Sequence, residues 1–196
     1  HRRPRRGDLG ARPVRAPARE RAVPDGRVNA ERILDAAADL FATHGVDRVG
    51  MGEVARAAGC SRATLYRYFA DRHELHVAFV HREARRVGTA VGAATHGIAD
   101  PAERLTAAVL EAVGQVRAAP ALLAWFGAGD AARTAELAQS SAVIEGLGSA
   151  LVEDEDAARW LVRVIVSLLT VPGRDAAEER ALVERFVVPA ALARGR

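Results

Sequence analysis

The sequence predicts an all-α protein, and three observations carry the prediction. Ala, Leu, Val and Arg dominate a chain of 196 residues in which 49% are apolar, and Ala and Leu are strong helix formers. Apolar residues recur at intervals of three and four along most of the chain, as one buried face of a helix requires. No run of alternating β-branched residues between turn signals occurs, so the signature of a half-buried strand is missing. The length allows one large domain, or a small one joined to a medium one, with a sizeable core.

Residues 1–27 depart from this pattern. Pro4, Pro13, Pro17 and Pro24 interrupt them and no apolar period is present, so a flexible tail is expected. A helix is expected from Asn29, a good N-cap residue. Ile33, Leu34, Ala37, Leu40 and Phe41 share its inner face, and Gly45 ends it. A second helix over Met51–Ala57 and a third over Arg62–Phe69 follow, separated by Gly59. Asp71, with Glu74 three positions on, starts a fourth helix that runs to about Thr89 or beyond. Asp100-Pro101 starts a fifth, with Leu105, Val109, Leu110 and Val113 inward. Pro120 opens a short segment holding Trp125 and Phe126, which Gly127 and Gly129 close. Another helix is expected from about Asp130 to Leu151. The acids of Glu153–Asp156 suit the positive end of the next, which carries Trp160, Leu161, Val164, Ile165, Leu168 and Leu169 and stops at Pro172-Gly173. Asp175 begins the last, with Leu182, Val183, Phe186, Val187 and Leu192 apolar. No internal repeat is present.

Charge is spread unevenly. All 28 basic residues are Arg, a bias so complete that single arginines need corroboration before they are given a role. Residues 1–27 hold nine Arg against three acids, a formal +6. Residues 28–86 hold nine against eight, and residues 87–196 hold ten against fourteen. The basic excess belongs to the tail, which suits a polyanionic partner. The single cysteine, Cys60, excludes an internal disulfide and fits a reducing compartment. The longest apolar run, Trp160 to Val171, is broken by Arg163 and is too short to span a bilayer. The Arg-rich start lacks the apolar stretch of a signal peptide, and a cytoplasmic protein without membrane partner is expected. No Gly-rich phosphate loop, His-Glu zinc helix or Gly-x-Ser-x-Gly elbow occurs, so neither an enzyme nor a cofactor is expected.

The stretch from Glu53 to Leu75 has the order of a helix-turn-helix, in which the second helix lies in a DNA groove. On a wheel at 100° per residue, Leu65 and Phe69 define the buried face of the third helix. Arg67 points away from them, with Ala63 and Thr64 beside it and Tyr66 and Tyr68 on the two flanks. Arg62 sits in the first turn. Arg62 and Arg67 can pair bidentately with guanine or with phosphate. Thr64 can reach a phosphate or a thymine methyl, and the tyrosines can place hydroxyls on phosphates. Ala63 keeps the surface low. Ser61 suits an N-cap and Gly59 a turn at positive φ. Arg72, in the first turn of the fourth helix, is a further phosphate candidate.

These residues resemble the TetR family of bacterial transcriptional regulators. The resemblance runs from Ile33-Leu34-Asp35-Ala36-Ala37 and Leu40-Phe41 through Gly45, Val54-Ala55, Ala58-Gly59 and Ser61. It continues over Thr64-Leu65-Tyr66, Tyr68-Phe69, Asp71-Arg72 and Leu75. It implies a three-helix DNA-binding head over residues 28–75 and an effector-binding and dimerisation domain over residues 76–196. It further implies a homodimer on a palindromic double-stranded operator, released by a small molecule. Arg62, Ala63, Thr64, Tyr66, Arg67, Tyr68 and Arg72 carry over by position as the DNA-contacting set. Repression is the commoner behaviour in the family. The rival readings are a regulator governed by a protein partner, and a ligand-binding dimer that has lost its operator.

Other residues have two readings each. Trp125 and Phe126 line an effector cavity or pack the core. Trp160, Val164 and Leu168, at four-residue spacing, and Phe186 form a subunit contact or core. His73, His76 and His81 lack a carboxylate or Cys at matched spacing, so surface or interdomain histidines are expected and no metal. Cys60 reads as a small buried filler. The Ala-, Leu- and Val-rich C-terminal half points to an apolar effector, with Arg104, Gln115 and Arg117 as polar candidates. The chain departs from the family at Gly50 and Gly52, where a cap side chain and a DNA-contacting side chain of the second helix are absent. The basic tail is expected to compensate by touching phosphate or the minor groove.

Overall fold

Among the residues that the computed structural model describes, 26–126, 152 and 154–193, every regular element is a helix. The basic tail and the helix expected from Asp130 to Leu151 lie outside them. The first helix, α1 (Gly26–His44), begins before Asn29, which is helical and not its cap. No proline falls between Gly26 and Asn29 to stop it. Gly45, at φ +77°, ends it and donates its N–H to Phe41 O at 3.0 Å. A 3-10 turn (Val46–Arg48) leads to α2 (Met51–Ala57) and α3 (Arg62–Tyr68). Ile33, Phe41, Val46, Val54 and Leu65 close the core of this head, each no more than 2% exposed. Burying a side chain of this size stabilises by about 1.5–3 kcal/mol.

The longest helix, α4 (Arg72–Thr95), has 24 residues, about 36 Å at 1.5 Å per residue. Asp71 caps it, accepting from Glu74 N at 2.8 Å, while Glu74 accepts from Ala70 N at 2.7 Å. Leu75 and Phe79 are buried near its start, and Val80, Ala84, Val87 and Val91 further along. The expected boundary after residue 75 therefore falls inside a continuous helix. Arg82, 4% exposed, ties α4 to α1. Its guanidinium meets Asp35 at 2.7 Å, Glu83 at 2.9 Å, Glu31 at 3.3 Å and the Leu34 carbonyl at 3.3 Å. A buried charge is tolerable because it is paired in this way.

Asp100 caps α5 (Pro101–Ala118), which packs along α4. The short α6 (Pro120–Leu123) runs into a 3-10 turn over Ala124–Phe126 and packs on α1. Asp154 caps α7 (Glu155–Thr170), accepting from Ala157 N at 2.6 Å, and α7 packs on α5. The described residues end in α8 (Ala176–Leu182), a π turn (Val183–Val187) and α9 (Val188–Leu192). Pro189 accounts for the π turn. It has no N–H for the carbonyl four residues back and its ring crowds that carbonyl; Val188 N–H instead reaches Val183 O. Arg117 of α5 grips Glu179 of α8 through two bonds, 2.7 and 2.8 Å, and donates to Leu168 O at 3.0 Å. Glu179 also accepts from Gly173 N at 2.9 Å. These bonds hold its carboxyl below the ordinary range; the Arg117 bond is the largest cause, and burial opposes it.

Candidate nucleic-acid interface and effector cavity

The turn between α2 and α3 is set by Gly59, whose φ of +65° suits a residue without Cβ. Cys60 N–H bonds Ala55 O at 2.9 Å and Arg32 of α1 donates to Ala58 O at 2.8 Å, so the turn is fastened from both sides. Cys60 is half-buried there, less enclosed than its reading as a core filler required. Ser61 caps α3, accepting from Thr64 N at 3.0 Å, and its hydroxyl lies 2.9 Å from that of Thr64. Leu65 and Phe69 face inward as the wheel required. Arg62, Ala63, Tyr66 and Arg67 are exposed, with Tyr66 at 48%, and Thr64 and Tyr68 are half-buried beside them. The Arg67 guanidinium stands 5.5 Å from the centre of the Tyr68 ring. Six of the seven expected DNA-facing residues thus lie on α3, four of them exposed and two half-buried.

Arg72 does not join them. Its Nη2 donates to Val46 O at 2.6 Å, fastening α4 to the turn after α1. Through this bond Arg72 braces the head. At the start of α2, Glu53 makes the reciprocal half of a capping box, accepting from Gly50 N at 2.8 Å, while Gly50 has no side chain to accept from Glu53 N. Gly52 is covered by the guanidinium of Arg62.

Beyond the head lies an apolar cavity of about 40 Å³. Val80, Ala84 and Val87 of α4, Val116 of α5, Phe126 and Ile165 of α7 are among its walls. Every lining side chain is hydrocarbon, so water would find none of the polar partners it needs. Phe126 is on its wall and Trp125 is not. Trp125, 4% exposed, packs between head and body. Its ring stacks on Phe79 at 5.8 Å and meets Phe41 and His76 edge-on at 5.8 and 5.0 Å. The 3-10 turn places the adjacent side chains Trp125 and Phe126 in these two environments. His76 is interdomain, whereas His73 and His81 are exposed. No group of three His, Cys, Asp or Glu suited to a metal occurs among the described residues. Arg104, Gln115 and Arg117 bond Ile98 O, Glu111 and Glu179, away from the cavity.

A second apolar surface is open. Trp160 and Phe186, 45% and 59% exposed, flank a groove of about 370 Å³ between α7 and the C-terminal helix, with Val164 and Leu168 at its wall.

Known proteins decide what this arrangement belongs to. Residues 33–79 match the profile of the bacterial regulatory proteins of the tetR family. An HTH-type transcriptional regulator of Mycobacterium tuberculosis (strain ATCC 25618 / H37Rv) is 46% identical over 169 residues, spanning 82% of this chain and 84% of the relative. The chain belongs to the TetR family. It is a DNA-binding transcriptional regulator and not an enzyme. Solved structures share its fold. The TetR family repressor AlkX from Dietzia sp. strain DQ12-45-1b, implicated in biodegradation of n-alkanes, superposes with a TM-score of 0.65 at 19% identity, over 84% of this chain and 95% of its own. RolR in complex with resorcinol does so with a TM-score of 0.60 at 21% identity, over 86% and 88%.

Within this TetR-family chain, sequence reasoning named one cavity wall, Phe126, and missed those of α4, α5 and α7. Their signal was weak. Val80, Ala84 and Val87 have the spacing of any core stripe, and only packing separates a cavity wall from a filled core. Among the described residues no single helix is long and apolar enough to cross a membrane.

Proposed function

We propose that the protein is a homodimeric repressor that leaves a palindromic operator when a small apolar molecule enters the cavity between α4, α5 and α7. The observation that carries this reading is the pairing of Phe126 on the cavity with Trp125 in the aromatic cluster that joins body to head. A ligand that widens the cavity displaces Phe126. The preceding residue in the chain then shifts against Phe41 of α1 and His76 and Phe79 of α4. Arg62, Ala63, Thr64, Tyr66, Arg67 and Tyr68 are the operator contacts, and the groove at Trp160 and Phe186 is the subunit contact. Exposed aromatics beside an apolar groove are the composition of an interface core.

The all-hydrocarbon wall selects a molecule without charge. The alkane and resorcinol associations of the two solved relatives are of that kind. The test is fluorescence anisotropy of labelled duplex taken from the DNA flanking the gene, titrated with protein and then with n-alkanes and simple phenols. Binding followed by release supports the reading, and failure to bind any flanking duplex at low salt removes it. The small volume of the cavity favours one rival, control by a protein partner. That rival requires operator binding that no molecule in the panel reverses.

A further inference from the structure

The two glycines at the start of α2 look like losses, since each removes a side chain from the DNA side of the head. Gly52 has a different role in the folded chain. A Cβ built on it would overlap the Arg62 guanidinium, lying 2.9 Å from both its Cζ and its Nε. At such a distance one group must shift, and the guanidinium, at the far end of a flexible side chain, is the one that moves. The guanidinium of an α3 residue therefore lies in the notch that the missing side chain leaves on α2. Gly52 has no positive φ to explain it. Close approach of another group is a physical reason for glycine inside a helix, where it otherwise weakens the element.

Arg62 has no hydrogen-bond or ion-pair partner among the described residues. Its neighbour Glu53 already caps Gly50. Arg62 thus presents a full set of donors, and over Gly52 no Cβ stands in the way of its guanidinium. A long flexible side chain loses rotamer freedom on binding, so a seat that removes part of that freedom beforehand strengthens the contact.

We propose that Gly52 is a specificity-determining position: it seats Arg62 so that this guanidinium, reaching across from α3, reads the DNA that a side chain of α2 would otherwise contact. The proposal rests on the reading of α3 as the groove-facing helix. It makes Arg62 and Gly52 one functional unit, lost together when either changes.

A double-mutant cycle on the full chain tests it. Wild type, Gly52→Ala, Arg62→Ala and the double variant are titrated against a fluorescent duplex selected from a random library by the wild-type protein. Alanine favours helix over glycine and Arg62 is exposed, so both variants keep the fold, which circular dichroism verifies. Gly52→Ala is expected to weaken binding about tenfold, within the range for one specific base contact. Arg62→Ala should weaken it at least as much. The double variant should bind no worse than Arg62→Ala, because the alanine at 52 then has nothing to displace. Wild-type affinity in Gly52→Ala overturns the proposal, and so does a double variant whose loss is the product of the single losses. A wild-type chain that selects no duplex sinks the operator reading of α3 itself, a result distinct from either.

Discussion

Trp125 gives the most quantitative test of how head and body are joined. Trp125→Ala removes a side chain that is only 4% exposed, and with it the ring packing against Phe41, His76 and Phe79. Truncating a buried Trp or Phe to Ala costs about 3–5 kcal/mol, because the cavity only partly collapses. For a domain of this size each kcal/mol shifts the melting midpoint by about 2–4 °C, which gives a fall of about 6–20 °C. Differential scanning calorimetry measures it directly. Trp160→Ala is the control. Its ring is 45% exposed, so the proposed subunit contact would show as a midpoint that varies with protein concentration, whereas the Trp125 effect would not. A fall below about 3 °C for Trp125→Ala would refute the reasoning, because burial and ring packing would then not govern this joint.

Other expectations concern DNA and pH. The double substitution Tyr66→Ala, Arg67→Ala should abolish specific operator binding in a gel shift while sedimentation leaves the oligomeric state unchanged; retained affinity would mean that another face of α3 meets DNA. Removing residues 1–25 should weaken duplex binding and flatten its salt dependence, by about 0.9 in log–log slope for each phosphate that the tail neutralises. An identical slope would end the idea of a DNA-binding tail. Glu179 has a depressed carboxyl pKa in the fold, chiefly through Arg117. Its stabilisation is therefore complete above the ordinary carboxylate range of about 4 and fades as pH falls through the lower folded value. Glu179→Gln should lower the melting midpoint at neutral pH, with a gap to wild type that narrows in acid. A constant gap from pH 7 to pH 3 contradicts the assignment.

Much of the helical frame was readable because its signals are local. Ser61, Asp71, Asp100 and Asp154 stand at helix starts, where their side chains accept from backbone N–H groups within three residues. Leu65 and Phe69 are four apart and fix the orientation of α3 without knowledge of any other element. What stayed hidden depends on partners distant in sequence. Arg72 finds the Val46 carbonyl 26 residues away, and Arg117 finds Glu179 at a separation of 62. In a chain whose every basic residue is Arg, composition does not separate a brace from a DNA contact. Trp125 and Phe126 are adjacent and equally apolar, so only the direction of each ring distinguishes the joint from the cavity. Gly52 reads as a deficit until Arg62 is seen above it.

The π turn near the C-terminus bears on how this helix is compared with those of its relatives. In a regular α-helix Val183 and Val188 would stand about 140° apart around the axis. Closure of Val188 N–H on Val183 O brings them nearly into line. Val183, Val187, Val188 and Ala191 are all buried as a result, while Leu182 and Phe186 stay in the open groove. The turn behaves as a one-residue insertion carried inside a helix. A relative whose last helix is regular will align with this chain only through a single gap within residues 183–187, and without it every groove residue on one side is paired with a core residue. A one-residue deletion there would convert the turn to regular α-helix and leave Val188 four positions after Val183, about 40° around the axis, so that Val188 and Ala191 keep their place in the core.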